Sequence, residues 1–284
     1  MKRAFILGSE WLYIKLYMGR LSADYFLSAQ LMTEVKILKR SGLIDSWFFI
    51  RYEDPDFHLR IRFHIPSTFN IYSVISHLNK ILVNLENQKI VSRIEYGTYT
   101  RELERYGAKI YQSTEQIFSV DSDAVLMLLN TLTLYENKDV LRWMAALVFV
   151  DDLITVFNLT LEQKATYLKK HGDSYKSEFG YTSIQSKRLL DKKYRISREL
   201  IIKAMTRQLP KEVLDITTTR YNSIQKILNS FKVGRNVDSY LSSLIHMSIN
   251  RLFFSSNRFC EMVIYDFLER HYKSVIAQKK YHSV

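Results

Sequence analysis

The sequence predicts an α+β fold in which an antiparallel sheet lobe is followed by, and packed against, an all-helical lobe. Two observations predict it. Residues 1–108 contain several stretches in which polar and apolar residues alternate with the period of a strand, whereas residues 114–271 repeat their apolar residues at helical spacing. We therefore expect lobes at residues 1–108 and 109–284, packed as one compact unit because no flexible linker separates them.

The clearest strand signal lies in residues 47–64 (WFFIRYEDPDFHLRIRFH), which predict a β-hairpin. Aromatic and β-branched residues fill its first part, Asp54 and Pro55 supply turn chemistry, and its last part alternates. Alternation places four basic side chains on one side of the second strand: His58, Arg60, Arg62 and His64. Such a strand is either an anion-binding surface or the solvated face of a one-sided sheet, and the stretch alone leaves both open.

The other elements of the sheet lobe complete a βαββαβ order. We predict a strand over residues 11–18, a helix over 23–41, a helix over 66–86 and a strand over 90–100. This order is typical of a ferredoxin-like sheet that has both helices on one face. The open face is then predicted to carry Tyr13, Lys15, Tyr17, Arg60 and Arg62.

The second lobe is predicted to consist of helices. They cover residues 121–135, 140–157, 161–170, 184–207, 212–231, 238–254 and 259–275, with a break at His171-Gly172 among others. If this lobe packs on the open sheet face, it encloses a groove lined by Arg, Lys, His and Tyr. A low-dielectric cationic groove of this kind favours a ligand carboxylate.

The charge balance predicts acidic partners. The chain has 41 Lys and Arg against 29 Asp and Glu, a formal net charge of +12 that is spread along its length. An anionic ligand, an acidic protein surface and RNA all satisfy this balance, although no recognisable RNA-binding motif accompanies it.

Cysteine and histidine usage argue against disulfides and metals. The single cysteine, Cys260, rules out an intrachain disulfide and a thiolate cluster, and its apolar surroundings are typical of a small buried hydrophobe. His58 and His64 lie too far apart on one strand to share an ion, so we predict neither a metal nor a cofactor. No signal peptide or membrane-span pattern is present, which predicts a soluble, cytoplasmic protein.

Two further residues are candidates for chemistry. Arg101 follows the fourth strand at the expected lip of the groove, although a surface pair with Glu104 is an alternative for it. His246 and Asn250 lie one helical turn apart on a polar stripe of an otherwise apolar helix. A histidine there is suited to proton transfer near neutral pH, and a structural role is the alternative.

Several motifs, in order along nearly the whole chain, resemble one family. They are WLYIKLY at residues 11–17, WFFIRY at 47–52 with HLRIRF at 58–63, YTRELERYG at 99–107, SVDS at 119–122 and HMSINRL at 246–252. In this combination they resemble the C-terminal domain of lantibiotic dehydratases, also known as the thiopeptide-type bacteriocin biosynthesis domain.

The resemblance implies a lyase of peptide antibiotic maturation. In that family a partner domain uses glutamyl-tRNA to esterify Ser or Thr of a precursor peptide, and this domain eliminates glutamate to leave dehydroalanine or dehydrobutyrine. The family's elimination residues fall here on Arg60, Arg62, Arg101 and His246. We expect the groove residues to bind the substrate: Tyr13, Lys15, Tyr17 and Asn250.

The resemblance also implies partners. The glutamylating portion that precedes this domain in lantibiotic enzymes is missing, which predicts a stand-alone form that works with a separate glutamylating protein. Its ligands are then the precursor peptide and, only through that partner, tRNA. The sequence leaves the oligomeric state open, a homo-oligomer included.

Two alternative functions stay open. Some stand-alone family members join two dehydroalanines in a formal [4+2] cycloaddition that forms a pyridine macrocycle. Those members tend to lose the elimination arginines, and since Arg60 and Arg62 are present we place this function second. A non-catalytic scaffold or tRNA-binding subunit is the third reading.

Overall fold

The computed structural model describes residues 1–234 and 236–282 and confirms the α+β class. The chain forms two compact units. The first comprises Met1–Thr133 with Lys226–Gly234, and the second comprises Leu134–Gln225 with the chain that follows residue 234. These bounds differ from residues 1–108 and 109–284 because a helix after residue 108 packs against the sheet. The predicted packing of lobes 1–108 and 109–284 into one compact unit stays a prediction.

The first unit contains the predicted ferredoxin-like sheet. Its strands are β1 Ala4–Phe5, β2 Trp11–Met18, β3 Ser46–Glu53, β4 Phe57–His64, β5 Val91–Gly97 and β6 Tyr99–Thr100. Four of them form an antiparallel sheet in the order β3-β4-β2-β5, and β1 pairs with β6. With the intervening helices, the four-stranded sheet has the predicted βαββαβ order.

One face of this sheet is an apolar core. Register pairs Leu12 with Phe63, Ile14 with Ile61 and Leu16 with Leu59, and all six side chains are almost completely buried. Each such side chain contributes roughly 1.5–3 kcal/mol of transfer free energy. The alternation in β2 and β4 therefore fixes which face is packed.

Two helical segments connect the strands. The first is continuous from α1 Arg20–Tyr25 through a π-helical stretch, Phe26–Leu31, to α2 Met32–Arg40. Asp24 of α1 binds Arg51 at 2.6 Å, and Arg51 is paired with Leu59, so α1 lies on the apolar face. The second segment is a 3₁₀ turn, Thr68–Asn70, followed by α3 Ile71–Asn87.

The predicted strand over residues 90–100 is divided in two. Gly97 lies so close to the ring of Tyr13 that an added Cβ would be 3.2 Å from it, and β5 ends there. The chain then leaves the main sheet and pairs with β1 as β6. This departure directs Tyr99 toward the basic face, where its ring lies 5.2 Å from that of Trp11.

A long helix covers the β3 edge of the sheet. After α4 Leu103–Tyr106 and a 3₁₀ turn, Ala108–Ile110, helix α5 runs over Tyr111–Leu132. Its Ser119 and Ser122 hydroxyls accept hydrogen bonds from the backbone N–H groups of Trp47 and Phe49, at 3.4 and 3.3 Å. These bonds satisfy donors that an edge strand leaves unpaired.

The described part of the second unit is helical. Its helices are α6 Lys138–Val156, α7 Leu161–Glu178, α8 Ile184–Met205, α9 Lys211–Leu228, α10 Val237–Leu252 and α11 Asn257–His282, and the end of α9 from Lys226 belongs to the first unit. The predicted break at His171-Gly172 is wrong, because α7 continues through it. Gly172 lies opposite Tyr265, where an added Cβ would be 3.4 Å from Cβ of Tyr265, an ordinary contact.

No single helix in the described ranges has both the length and the apolar character needed to cross a membrane. Helices α6 and α7 satisfy these criteria only as a pair, with a bend of 120° between them.

Candidate functional site

Arg62 is the most buried cation of the basic sheet face. Its guanidinium lies between three aromatic rings, 4.6 Å from the centroid of Tyr13 and 5.1 Å from those of Phe48 and Tyr99. Among the described residues no carboxylate pairs with it, and its Nε has no hydrogen-bond partner. The rings hold the positive charge by cation–π attraction and leave it available for an anion.

Arg60 lies on the same sheet face, two residues before Arg62 in β4. Its guanidinium lies 3.4 Å from the ring centroid of Tyr52, and its Nε donates to Nε2 of His58 at 3.0 Å. Burial lowers the pKa of His58, whose Nδ1 contacts the carbonyl of Asp56 at 2.8 Å. His58 is therefore neutral and orients Arg60 instead of adding a charge of its own.

Lys15, in contrast, has a carboxylate partner that the alternation of its own strand did not indicate. Register places Lys15 beside Glu95, which accepts from Lys15 Nζ at 3.0 Å and from the Tyr17 hydroxyl at 3.4 Å. The hydrogen bond to Glu95 raises the pKa of Lys15. The positive charge on this face is thus concentrated on the two arginines, and substrate binding by Lys15 and Tyr17 stays a prediction.

Arg101 forms a buried ion pair with Glu115. Its Nε and Nη2 donate to the two Glu115 oxygens at 2.7 and 2.5 Å, and the Tyr99 hydroxyl donates to the same carboxylate at 2.8 Å. The alternative pair with Glu104 is wrong, because Glu104 binds Arg3. Glu115 neutralises Arg101, so Arg101 differs from Arg60 and Arg62 in having no local excess charge.

A cavity of about 680 Å³ opens beside this pair in the first unit. Lys39 forms an ion pair with Asp123, and Nδ1 of His64 hydrogen-bonds Asp45, each at 2.6 Å. The lysine and the arginine that line the cavity are thus each matched by a carboxylate. The candidate anion site is therefore the aromatic cage around Arg62 and Arg60.

In the second unit, His246 is held by a buried carboxylate. Its Nδ1 lies 2.9 Å from Oε2 of Glu261, and Glu261 is fully buried. The imidazole itself is about one-fifth exposed, at 21%. Asn250 lies one turn further along α10 and is buried. The groove predicted to join His246 with the arginines stays a prediction.

Metal and thiol chemistry find no support in the described chain. Nowhere in residues 1–234 and 236–282 do three or more His, Cys, Asp or Glu side chains come together as a metal site. Cys260 is buried, and burial raises the pKa of its thiol to about 11, so the thiol is protonated and unreactive near neutral pH.

Three carboxylates that contact predicted site residues were not predicted as their partners from the sequence. Glu95 could have been found from strand pairing once β5 is placed beside β2. Glu115 and Glu261 gave no such signal, because their contacts depend on a turn and on the packing of two helices.

A family model described as "Lantibiotic biosynthesis dehydratase C-term" matches residues 11–272 of the chain. The match covers both compact units, and it contains the basic strand, Arg101 and His246.

Two biosynthesis proteins are similar in sequence. Subtilin biosynthesis protein SpaB of Bacillus subtilis is 29% identical over 175 residues, covering 60% of this chain and 16% of SpaB. Nisin biosynthesis protein NisB of Lactococcus lactis subsp. lactis is 35% identical over 132 residues, covering 46% of this chain and 13% of NisB. The matched region thus spans less than a fifth of either relative.

Solved structures share the fold. The tRNA-dependent lantibiotic dehydratase MibB from Microbispora sp. 107891 aligns with a TM-score of 0.59 and 21% identity, over 92% of this chain and 28% of MibB. TsrL aligns with a TM-score of 0.63 and 12% identity, over 93% of this chain and 95% of TsrL. The pyridine synthase TbtD from thiomuracin biosynthesis aligns with a TM-score of 0.59 and 14% identity, over 93% of this chain and 99% of TbtD.

Proposed function

The chain belongs to the family of lantibiotic dehydratase C-terminal domains, and on that premise we propose that it is a lyase that eliminates glutamate from glutamylated Ser and Thr. Its substrate is a ribosomally made precursor peptide, and its product carries dehydroalanine or dehydrobutyrine. The glutamyl ester is supplied by a separate glutamylating protein that uses glutamyl-tRNA.

The observation that carries the proposal is the uncompensated charge of Arg60 and Arg62. Both guanidiniums lie against aromatic rings on one sheet face, and among the described residues neither forms an ion pair with a carboxylate. A leaving carboxylate is the group such a site stabilises most strongly, because a bidentate arginine contact adds charge and geometry together.

The reaction needs two functions besides anion binding. A base takes the Cα proton, the electron pair forms the Cα–Cβ double bond, and the Cβ–O bond breaks to release glutamate as its carboxylate. We assign proton transfer to His246 because Glu261 holds its Nδ1 and the imidazole edge is exposed. Arg60 and Arg62 meet the charge that develops on the ester.

We keep Arg101 among the proposed elimination residues because of its position directly after β6. Glu115 accepts from its Nε and Nη2, and its Nη1 donates to the carbonyl of Lys2 at 3.2 Å, so contact with the leaving carboxylate requires one of these acceptors to share a donor. Tyr13, Lys15, Tyr17 and Asn250 remain our candidates for binding the peptide.

The test is conversion of a peptide with one glutamyl-ester serine, followed by mass spectrometry. We expect dehydroalanine and free glutamate with the unmodified protein, and losses of about 100-fold or more in rate for Arg62→Ala and His246→Gln. Arg40→Ala, on an exposed end of α2, and His77→Gln, a helix histidine bound to Glu34, are matched controls. Normal conversion by Arg62→Ala and His246→Gln would exclude the assignment.

Pyridine-forming cycloaddition is the second candidate. The fold shared with the pyridine synthase TbtD favours it, whereas the caged arginines favour elimination. A peptide that carries two dehydroalanines and no glutamate separates the two functions, because only a cycloaddition enzyme converts it to a macrocycle.

A further inference from the structure

We propose that Glu261 is a positioning residue that holds His246 in the tautomer with a proton on Nδ1, leaving Nε2 to exchange a proton with the substrate. The inference rests on the proposed role of His246 in elimination. It adds a residue that neither the motifs nor the charge pattern of the sequence revealed.

The two side chains are brought together by neighbouring helices of the second unit. Helix α10 ends at Leu252 and α11 begins at Asn257, so a short connection returns the chain. His246 lies in the middle of α10 and Glu261 in the second turn of α11, and Nδ1 meets Oε2 at 2.9 Å. The contact therefore joins two rigid elements and fixes the ring orientation.

The hydrogen-bond donors around Glu261 determine which imidazole nitrogen carries the proton. Its carboxylate is fully buried, and its Oε1 accepts from the Tyr265 hydroxyl at 2.9 Å. Burial raises the pKa of Tyr265, so its phenol stays a protonated donor. An ionised carboxylate accepts only, so the Nδ1 of His246 donates to Oε2.

This arrangement serves proton transfer in two ways. The neutral imidazole presents its lone pair on Nε2, the nitrogen that Glu261 leaves uncovered. When Nε2 takes a proton, the Glu261 charge stabilises the imidazolium that forms, as carboxylates do in other His–carboxylate pairs.

A purely structural link between α10 and α11 makes different predictions. Glu261→Gln keeps the side-chain shape and an oxygen that accepts from Nδ1, but it removes the negative charge. Glu269 offers a matched control because it is also buried on α11, yet its partners are lysines, Lys273 at 2.6 Å and Lys176 at 3.8 Å. A structural role predicts that the two Glu→Gln variants behave alike.

The first experiment is ¹⁵N NMR of histidine-labelled protein, with His246 assigned through His246→Gln. We expect the unmodified protein and Glu269→Gln to show a protonated Nδ1 and an unprotonated Nε2. In Glu261→Gln we expect mixed tautomers. A His246 signal that is protonated on Nε2, or unchanged in Glu261→Gln, would overturn the proposal. This readout does not depend on lyase activity, so it separates failure of this inference from failure of the proposed function.

The second experiment is single-turnover elimination from the glutamyl-ester peptide. Glu261→Gln is expected to lower the rate roughly 100-fold with little change in peptide affinity, while Glu269→Gln stays within about twofold. If Glu261→Gln does not fold, Tyr265→Phe takes its place and is expected to lower the rate about tenfold. Equal rates for both Glu→Gln variants would contradict a positioning role.

Discussion

Arg62 shows at the scale of one residue how this protein buries a cation without a carboxylate. Three aromatic rings surround its guanidinium, and each contributes roughly 0.5–2 kcal/mol. Arginine suits this cage because its planar, weakly hydrated head stacks on rings, whereas the ammonium of lysine is compact and strongly hydrated.

We predict that Arg62→Lys retains the positive charge and still loses at least tenfold in elimination rate, because lysine cannot give the bidentate contact. Arg62→Met is expected to fold and to be inactive. Circular dichroism and the peptide conversion rate measure the two effects. An Arg62→Lys protein with the normal rate would show that charge alone suffices at this position.

Asp152 gives a second prediction at this scale. It is buried in the second unit and binds Arg207 at 2.6 Å, and burial raises its pKa from the ordinary 3.8 to about 6. The unfolded chain therefore loses this proton at lower pH than the folded one does. Stability due to Asp152 then falls as pH rises from about 4 to about 6, by about 3 kcal/mol in total.

The measurement is urea unfolding between pH 4 and 7 of the unmodified protein and of Asp152→Asn. The variant keeps an oxygen for Arg207 and is expected to lack this loss of stability. The unfolding free energy of the variant minus that of the unmodified protein therefore increases with pH. A difference that is constant over the range would contradict the raised pKa.

At the scale of elements, strands were more predictable than helix ends. The alternation in residues 11–18 matches β2 at both ends because one face is packed and the other carries Tyr, Lys and Arg. Helix α5 begins ten residues before the predicted start at residue 121, since its first turns are rich in polar residues. Thr114, Glu115 and Ser119 are nevertheless buried there, because they pair with groups inside the first unit.

The cover that α5 provides for β3 yields a prediction. Ser122→Ala removes the hydroxyl that accepts from the buried N–H of Phe49 and is expected to cost about 1–3 kcal/mol of unfolding free energy. Ser113→Ala, a half-exposed serine in the first turn of α5, is the matched control and is expected to change stability by less than about 0.5 kcal/mol. Chemical denaturation measures both, and equal values would argue against the edge contact.

Packing of α7 on α11 yields another prediction. Gly172→Ala adds a methyl group 3.4 Å from Cβ of Tyr265, an ordinary contact, and it gains helix propensity, so we expect no loss of stability. Gly172→Leu is expected to cost about 1–3 kcal/mol because the larger side chain separates the helices. Lys169→Leu, exposed on the same helix, is the control. A lower midpoint of thermal unfolding for Gly172→Ala than for Gly172→Leu would contradict this packing.

At the scale of the whole molecule, the sequence predicted the fold class and family better than the contacts of the site. The βαββαβ order and the basic face follow from alternation and are present. The carboxylates that bind Lys15, Arg101 and His246 come from other elements. The contact of Lys15 follows from strand pairing, whereas those of Arg101 and His246 depend on a turn and on helix packing that no local pattern encodes.

The excess of +12 also acts at this scale. It attracts acidic partners over a range set by salt, and it fits both a glutamylating protein and tRNA. Tight, salt-sensitive tRNA binding by a chain without lyase activity would favour the scaffold function over catalysis.

The most direct test of the proposed lyase is the fate of one hydrogen atom. A peptide with a glutamyl-ester serine deuterated at Cα is incubated with the protein, and the product is analysed by mass spectrometry. Elimination predicts dehydroalanine that has lost the deuterium, together with free glutamate. Unchanged ester, or serine that has been released by hydrolysis and retains the deuterium, would contradict it.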